Sequence, residues 1–152
     1  MKKIFVAFGL IAALATSAFA GTGKFVDDTV LDAGLSEYAT ATTVHFCTSM
    51  PANYAGIAAV TKANKTVTAG AGNGNWTIAN GDTSGRKLTM SALTTITLTG
   101  NGTITHQCFA KTASSVLKGC VPLGADKTIV DYTTETWTSS AVDVVEIADI
   151  TQ

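Results

Sequence analysis

The sequence predicts a mainly β fold: an antiparallel β-sandwich or flattened barrel of about eight or nine short strands with one short N-terminal helix. Three observations carry that expectation. Threonine is abundant, glycines recur between short apolar stretches, and the chain holds only two prolines, as suits many short strands joined by glycine turns. Several segments alternate apolar and polar residues with period two. The stretch Thr94–Phe109, TTITLTGNGTITHQCF, combines that rhythm with a turn sequence.

Met1–Ala20, MKKIFVAFGLIAALATSAFA, has a Lys2-Lys3 start, an apolar run from Ile4 to about Leu14, and Ala18-Phe19-Ala20 ahead of Gly21. That pattern matches a secretory signal peptide with a small-residue cleavage site. The alternative is a retained N-terminal arm that packs on a neighbouring subunit. The apolar run is short for a stable membrane span. Residues 21–152 then form a single β domain, a division that suits 152 residues with a formal net charge of -1, 46% hydrophobic and 14% charged residues. Without a Lys/Arg run there is no electrostatic footprint for nucleic acid or anionic lipid.

Phe25–Tyr38 spaces Val26, Val30, Leu31, Leu35 and Tyr38 close to one helical face, with Asp27 and Asp28 near the N-terminal end. Thr42–Thr48 alternates, with Val44 and Phe46 on one face and Thr43, His45 and Cys47 on the other, so it predicts the first strand. Ala55–Val60 predicts a second strand and Thr66–Thr68 a short third. Gly70–Asn75 is a turn, followed by strand Trp76–Ala79, turn Asn80–Gly85 and strand Arg86–Met90.

In Thr94–Phe109, a three-residue Gly100-Asn101-Gly102 loop pairs Leu98 with Ile104 and Ile96 with His106. Ile96, Leu98, Ile104, His106 and Cys108 then share the inner face, and Thr97, Thr99, Thr103 and Thr105 the outer one. Gly102 takes a positive φ. Ser115–Val121 is a further strand ended by Pro122, a polar connection runs through Asp126, and Thr128–Tyr132 and Thr136–Ile147 close the chain.

His45-Phe46-Cys47 and His106-Gln107-Cys108 each place His and Cys on one face of a strand, and two adjacent strands could supply four soft ligands. The competing account is a hydrogen-bonded histidine and small apolar cysteines, and no metal is assigned. Cys47, Cys108 and Cys120 allow at most one intrachain disulfide. Cys47 with Cys120 is the pairing chosen, against three reduced thiols. Gly70–Gly74 lacks a lysine at P-loop spacing, and Asp82–Gly85 offers too few carboxylates for a cation, so both remain turns. No serine or cysteine sits in a nucleophile context. No catalytic residue, cofactor-binding residue or cofactor is therefore expected. Three Asn-x-Thr sequons, at Asn64, Asn75 and Asn101, are explained by the threonine-rich composition.

The ordered blocks LDAGLSEYAT, VHFCTSMPANYAGIAAV, GNGNWTIANGDTSGRKLTM, GTITHQCF, SVLKGC and VVEIAD resemble a group of small tailed-bacteriophage virion proteins. The resemblance spans most of Leu31 to Asp149 and is most specific from Cys47 through Met90. It implies a non-enzymatic β-rich component of the particle, of the head-decoration or tail-associated type, with other virion proteins and copies of itself as partners. The leader before Gly21, Cys108 and the Thr133–Trp137 stretch depart from the group. An exported bacterial surface or fibre subunit with a cleaved leader is the alternative.

Overall fold

The computed structural model describes residues 26–148. The leader or arm expected at Met1–Ala20 lies outside the described residues. Among the described residues eight strands form two antiparallel sheets, and neither sheet closes into a barrel. The larger has the order β5-β2-β1-β6-β7 and the smaller β3-β4-β8, with β1 Thr43–Cys47, β2 Thr61–Thr66, β3 Trp76–Asn80, β4 Arg86–Met90, β5 Thr97–Leu98, β6 Gly102–Lys111, β7 Val116–Ile129 and β8 Val142–Ile147. Val44, Phe46, Ile104 and Phe109 from the first sheet meet Trp76, Leu88, Met90 and Val144 from the second in one buried core.

Helix α1, Asp28–Tyr38, begins where Asp27 caps it by accepting from the Thr29 backbone N–H at 2.8 Å. Leu31 and Leu35 face the core, but Val30 is 61% exposed. The buried stripe is thus narrower than the predicted face, because the i, i+4 spacing of Leu31 and Leu35 leaves Val30 on the adjacent side. Arg86 on β4 holds the helix start, donating to Asp32 from Nε at 2.6 Å and Nη2 at 3.1 Å.

Ala55–Val60 is a correction: it is a 3-10 turn at Tyr54–Gly56 running into a short helix α2, Ile57–Val60, not a strand. Asn53 accepts from the Gly56 N–H at 3.1 Å, and Thr61 Oγ1 donates to the Ile57 carbonyl at 2.8 Å. Side chains at both ends thus close local turns that an apolar run alone does not reveal. The third predicted strand shifts in turn: Thr61–Thr66 pairs with β1, while Val67 is buried just past its end.

The predicted hairpin does not form. β5 pairs with β2, Ala63 opposite Leu98 and Asn64 opposite Thr97, whereas β6 lies between β1 and β7. Gly100 and Gly102 carry the chain across the end of β2, where added Cβ atoms would lie 3.4 Å and 3.5 Å from the Lys62 side chain. The glycines therefore serve a crossover from the edge strand β5 past β2 and β1 to β6, and Gly102 does have positive φ, at +142°. β6 gains a ladder with β7 along most of its length and a second one with β1 at His106–Ala110, which outweighs one short hairpin. Ile96 and Ile104 are buried and Leu98 packs on the core, as expected, but a bulge between Ile104 and His106 turns the next residues over. Gln107 and Phe109 then lie on the core side with Ile104, and His106 and Cys108 leave it.

β7 runs through Pro122 and the expected polar connection as far as Ile129, absorbing much of the strand predicted at Thr128–Tyr132. Proline is tolerated because β7 is an edge strand, with a partner on only one side. The Asp131–Glu135 loop then folds back: Glu135 accepts from the backbone N–H of Asp131 at 2.9 Å and Val130 at 2.7 Å, and Lys127 Nζ lies 3.0 Å away. Those bonds hold its carboxyl at a pKa of about 2. Of the predicted Thr136–Ile147 strand only Val142–Ile147 is regular, the preceding chain being bridged at Ser139 to Leu93.

The β3–β4 turn sets one sharp sequence requirement. Gly85 has φ +71°, and a Cβ there would lie 2.0 Å from the Ile147 carbonyl oxygen. Gly85→Ala is therefore expected to lower stability by roughly 2 kcal/mol or more in denaturant unfolding. Equal stability would place β8 elsewhere.

Candidate functional site

The residues singled out for chemistry do converge, on the face of the larger sheet that points away from the core. Directly opposed residues in a ladder share a face. One row across β2, β1, β6 and β7 is Asn64, His45, Cys108 and Cys120; the next is Thr61, Cys47, His106 and Pro122. The sequence-level expectation that adjacent strands bring the two His-x-Cys pairs together therefore holds.

Their chemistry differs from a ligand set. Cys108 and Cys120 are disulfide-bonded with Cα atoms 4.0 Å apart, and Cys47 is a free, buried thiol. This corrects the expected Cys47–Cys120 pairing: β6 stands between β1 and β7, so Cys120 meets Cys108 directly and Cys47 lies one strand further away. Among the described residues no group of three His, Cys, Asp or Glu is placed to hold a metal ion.

Each histidine is fixed by a threonine. Thr61 Oγ1 donates to the Ile57 carbonyl, so the bond to His45 Nδ1, at 3.4 Å, requires the ring to donate. Thr105 Oγ1 lies 3.0 Å from the Thr48 carbonyl, to which it donates, and 2.7 Å from His106 Nδ1, which gives the same tautomer. His45 Nε2 is left as a buried acceptor without a partner among the described residues. Burial lowers the pKa of His45 from 6.5 and raises that of the Cys47 thiol from 9.0. A hollow of about 490 Å³ beside them is lined by His45, Tyr54, Ile57, Thr61, Asn64 and Thr99, among others.

The His45 environment has a pH consequence. A folded-state pKa below the unfolded one means that the unfolded chain binds the proton more readily, so stability is full above pH 6.5 and falls as pH drops below it. His45→Gln should flatten that part of the pH–stability curve, measured by urea unfolding between pH 5 and 7, roughly the window of histidine titration. An unchanged slope would place the titrating group elsewhere.

The other sequence candidates have structural duties. Asp82 accepts from Lys87 Nζ at 2.5 Å, and its backbone N–H donates to Glu146 at 2.9 Å. In the Gly70–Asn75 turn, Asn73 donates to the Ala69 carbonyl at 3.2 Å. Asn75 and Asn101 accept from the backbone N–H groups of Thr68 and Tyr132, both at 3.0 Å.

A second feature, missed from the sequence, is a cleft of about 540 Å³ where the sheets part. On one side, Leu123–Asp126 of β7 stand opposite Thr105 alone, a wide bulge between the Ile104–Lys127 and His106–Pro122 pairs. Trp137–Asp143 form the other side, and Gln107 lines the cleft as well. Gln107 is 1% exposed; its amide donates to Met90 Sδ at 3.6 Å, a weak acceptor. The bulge could not be foreseen, since it depends on how β7 registers against β6.

No family model, curated protein or solved structure matches the chain.

Proposed function

We propose that the chain is a non-enzymatic structural component of a bacteriophage particle, a capsid-decoration or tail-associated protein held there in many copies. The observation that carries this reading is where the resembling blocks lie. LDAGLSEYAT forms most of α1; VHFCTSMPANYAGIAAV runs from β1 through α2; GNGNWTIANGDTSGRKLTM is the β3–β4 hairpin; GTITHQCF, SVLKGC and VVEIAD supply β6, the start of β7 and β8. The blocks are thus the framework of both sheets rather than scattered turns.

The site chemistry is in keeping with that role. Both histidine rings are held by threonine hydroxyls, and two of the three thiols are joined to each other. Weak contacts repeated over a lattice suffice for attachment through avidity. Mass spectrometry of purified particles tests the proposal: the chain should be found among their proteins, and its absence refutes the assignment.

Two observations favour the second reading, an exported bacterial surface or fibre subunit. The Cys108–Cys120 bond belongs in an oxidising compartment, and Met1–Ala20 has the pattern of a secretory leader. The mature N-terminus separates the two. A chain starting at Gly21 supports export, and peptides retaining Met1–Ala20 support an arm in an assembled particle.

A further inference from the structure

Trp137 gives the cleft between the sheets an apolar wall that is already fixed in place. The half-buried indole meets Phe46 edge-on, with ring centroids 4.5 Å apart. Its carbonyl accepts from the Ile96 N–H at 3.3 Å. Two residues on, the Ser139 N–H donates to the Leu93 carbonyl at 2.9 Å, and Ser139 Oγ accepts from the Leu93 N–H at 3.4 Å. The segment carrying the ring is thus tied down by backbone bonds as well as by the ring's own packing, so binding would cost little further ordering.

The other side of the cleft is polar. Leu123–Asp126 stand opposite Thr105 alone, which leaves backbone groups of that bulge outside the register with β6. The Asp126 carboxylate lines the cleft and makes no hydrogen bond or ion pair with a described residue. The remaining charges of the lining are engaged: Lys127 lies 3.0 Å from Glu135, and Asp143 lies 3.3 Å from Lys87. An anion therefore meets no unpaired cation here. A wholly apolar ligand would strip water from Asp126 and from the bulge backbone without replacing its hydrogen bonds.

We propose that this cleft binds a neutral oligosaccharide, with one sugar ring stacked on Trp137 and its hydroxyls donating to the Asp126 carboxylate. A sugar ring has a C–H face that suits an indole and a hydroxyl edge that suits a carboxylate and backbone amides. At about 540 Å³ the cleft falls within the size range of small-molecule sites. Trp137 and Thr138 also line a second hollow of about 370 Å³, walled by Thr94, Thr95 and Thr136. Two hollows sharing one indole suit a ligand of several rings better than a single sugar. The proposal stands on the cleft alone and goes beyond the assignment to a particle.

The chain has two tryptophans, and Trp76 is fully buried, so a ligand-induced change in tryptophan emission reports Trp137. The full chain, titrated with cellohexaose, maltohexaose and chitohexaose, should respond to at least one of them with a Kd of about 1 mM or tighter. Asp126→Ala should weaken that binding about tenfold, the loss expected for one hydrogen bond to a charged group, and leave the thermal midpoint unchanged. Trp137→Phe keeps a ring against Phe46 and should weaken binding by a similar factor, read by saturation-transfer NMR on the sugar protons; if that variant does not fold, Asp126→Ala decides alone. Three outcomes would each overturn the proposal. These are no response to any of the three sugars, undiminished binding in the folded variants, or a response to choline chloride in place of the sugars, which would make Trp137 and Asp126 a cation site.

Discussion

Trp76→Ala should lower the unfolding free energy by about 3–5 kcal/mol, among the largest losses of any single substitution in the core. Trp76 is fully buried on β3, and its ring meets Phe109 of β6 edge-on with centroids 5.4 Å apart. It therefore joins the smaller sheet to the larger one across the core. Truncation leaves a cavity that two separate sheets cannot easily collapse into. Trp76→Phe provides the control: most ring contact survives, and the indole N–H, which has no partner among the described residues, is removed. That loss should be roughly half as large. Equal losses in the two variants, by chemical denaturation, would mean that the edge-on contact is not what holds the sheets together.

Removing the disulfide should come next. Cys108 and Cys120 are separated by 12 positions and join β6 to the edge strand β7. Closing a loop of that size restricts the unfolded chain, and the Cys108→Ala, Cys120→Ala double variant should lose about 2–4 kcal/mol. Cys47→Ala acts differently, since the buried thiol behaves as a small apolar group, and should cost closer to 1 kcal/mol. Non-reducing peptide mapping checks the connectivity independently. It should give one linked pair, Cys108 with Cys120, and a free Cys47; a peptide linking Cys47 to Cys120 would require β1 and β7 to be neighbours.

The parts legible in the sequence are those whose partners are close in the chain. Trp76–Asn80 and Arg86–Met90 pair across their own turn, and α1 is announced by Asp27 and Asp28 near its start and by Leu31 and Leu35. Alternation also placed Val44 and Phe46 inward and His45 and Cys47 outward. What failed was choice among distant partners. Thr97–Leu98 and Gly102–Lys111 look complementary, but the first adds to β2 and the second fills the space between β1 and β7. The irregularity at Thr105, which faces four residues of β7, reversed the faces of His106 and Cys108, and a bulge set by the partner strand leaves no trace in the period-two pattern of β6. The His/Cys rows were half legible for that reason: each strand's pairing of side chains was visible, while the disulfide followed from a register set by the whole sheet.

The most direct test of the structural role is copy number. Quantitative mass spectrometry of gradient-purified phage particles, scaled to the main shell protein, should find this chain at a fixed multi-copy ratio that survives repeated purification. Trace amounts that decline with each purification step, or none, would contradict a structural place in the particle.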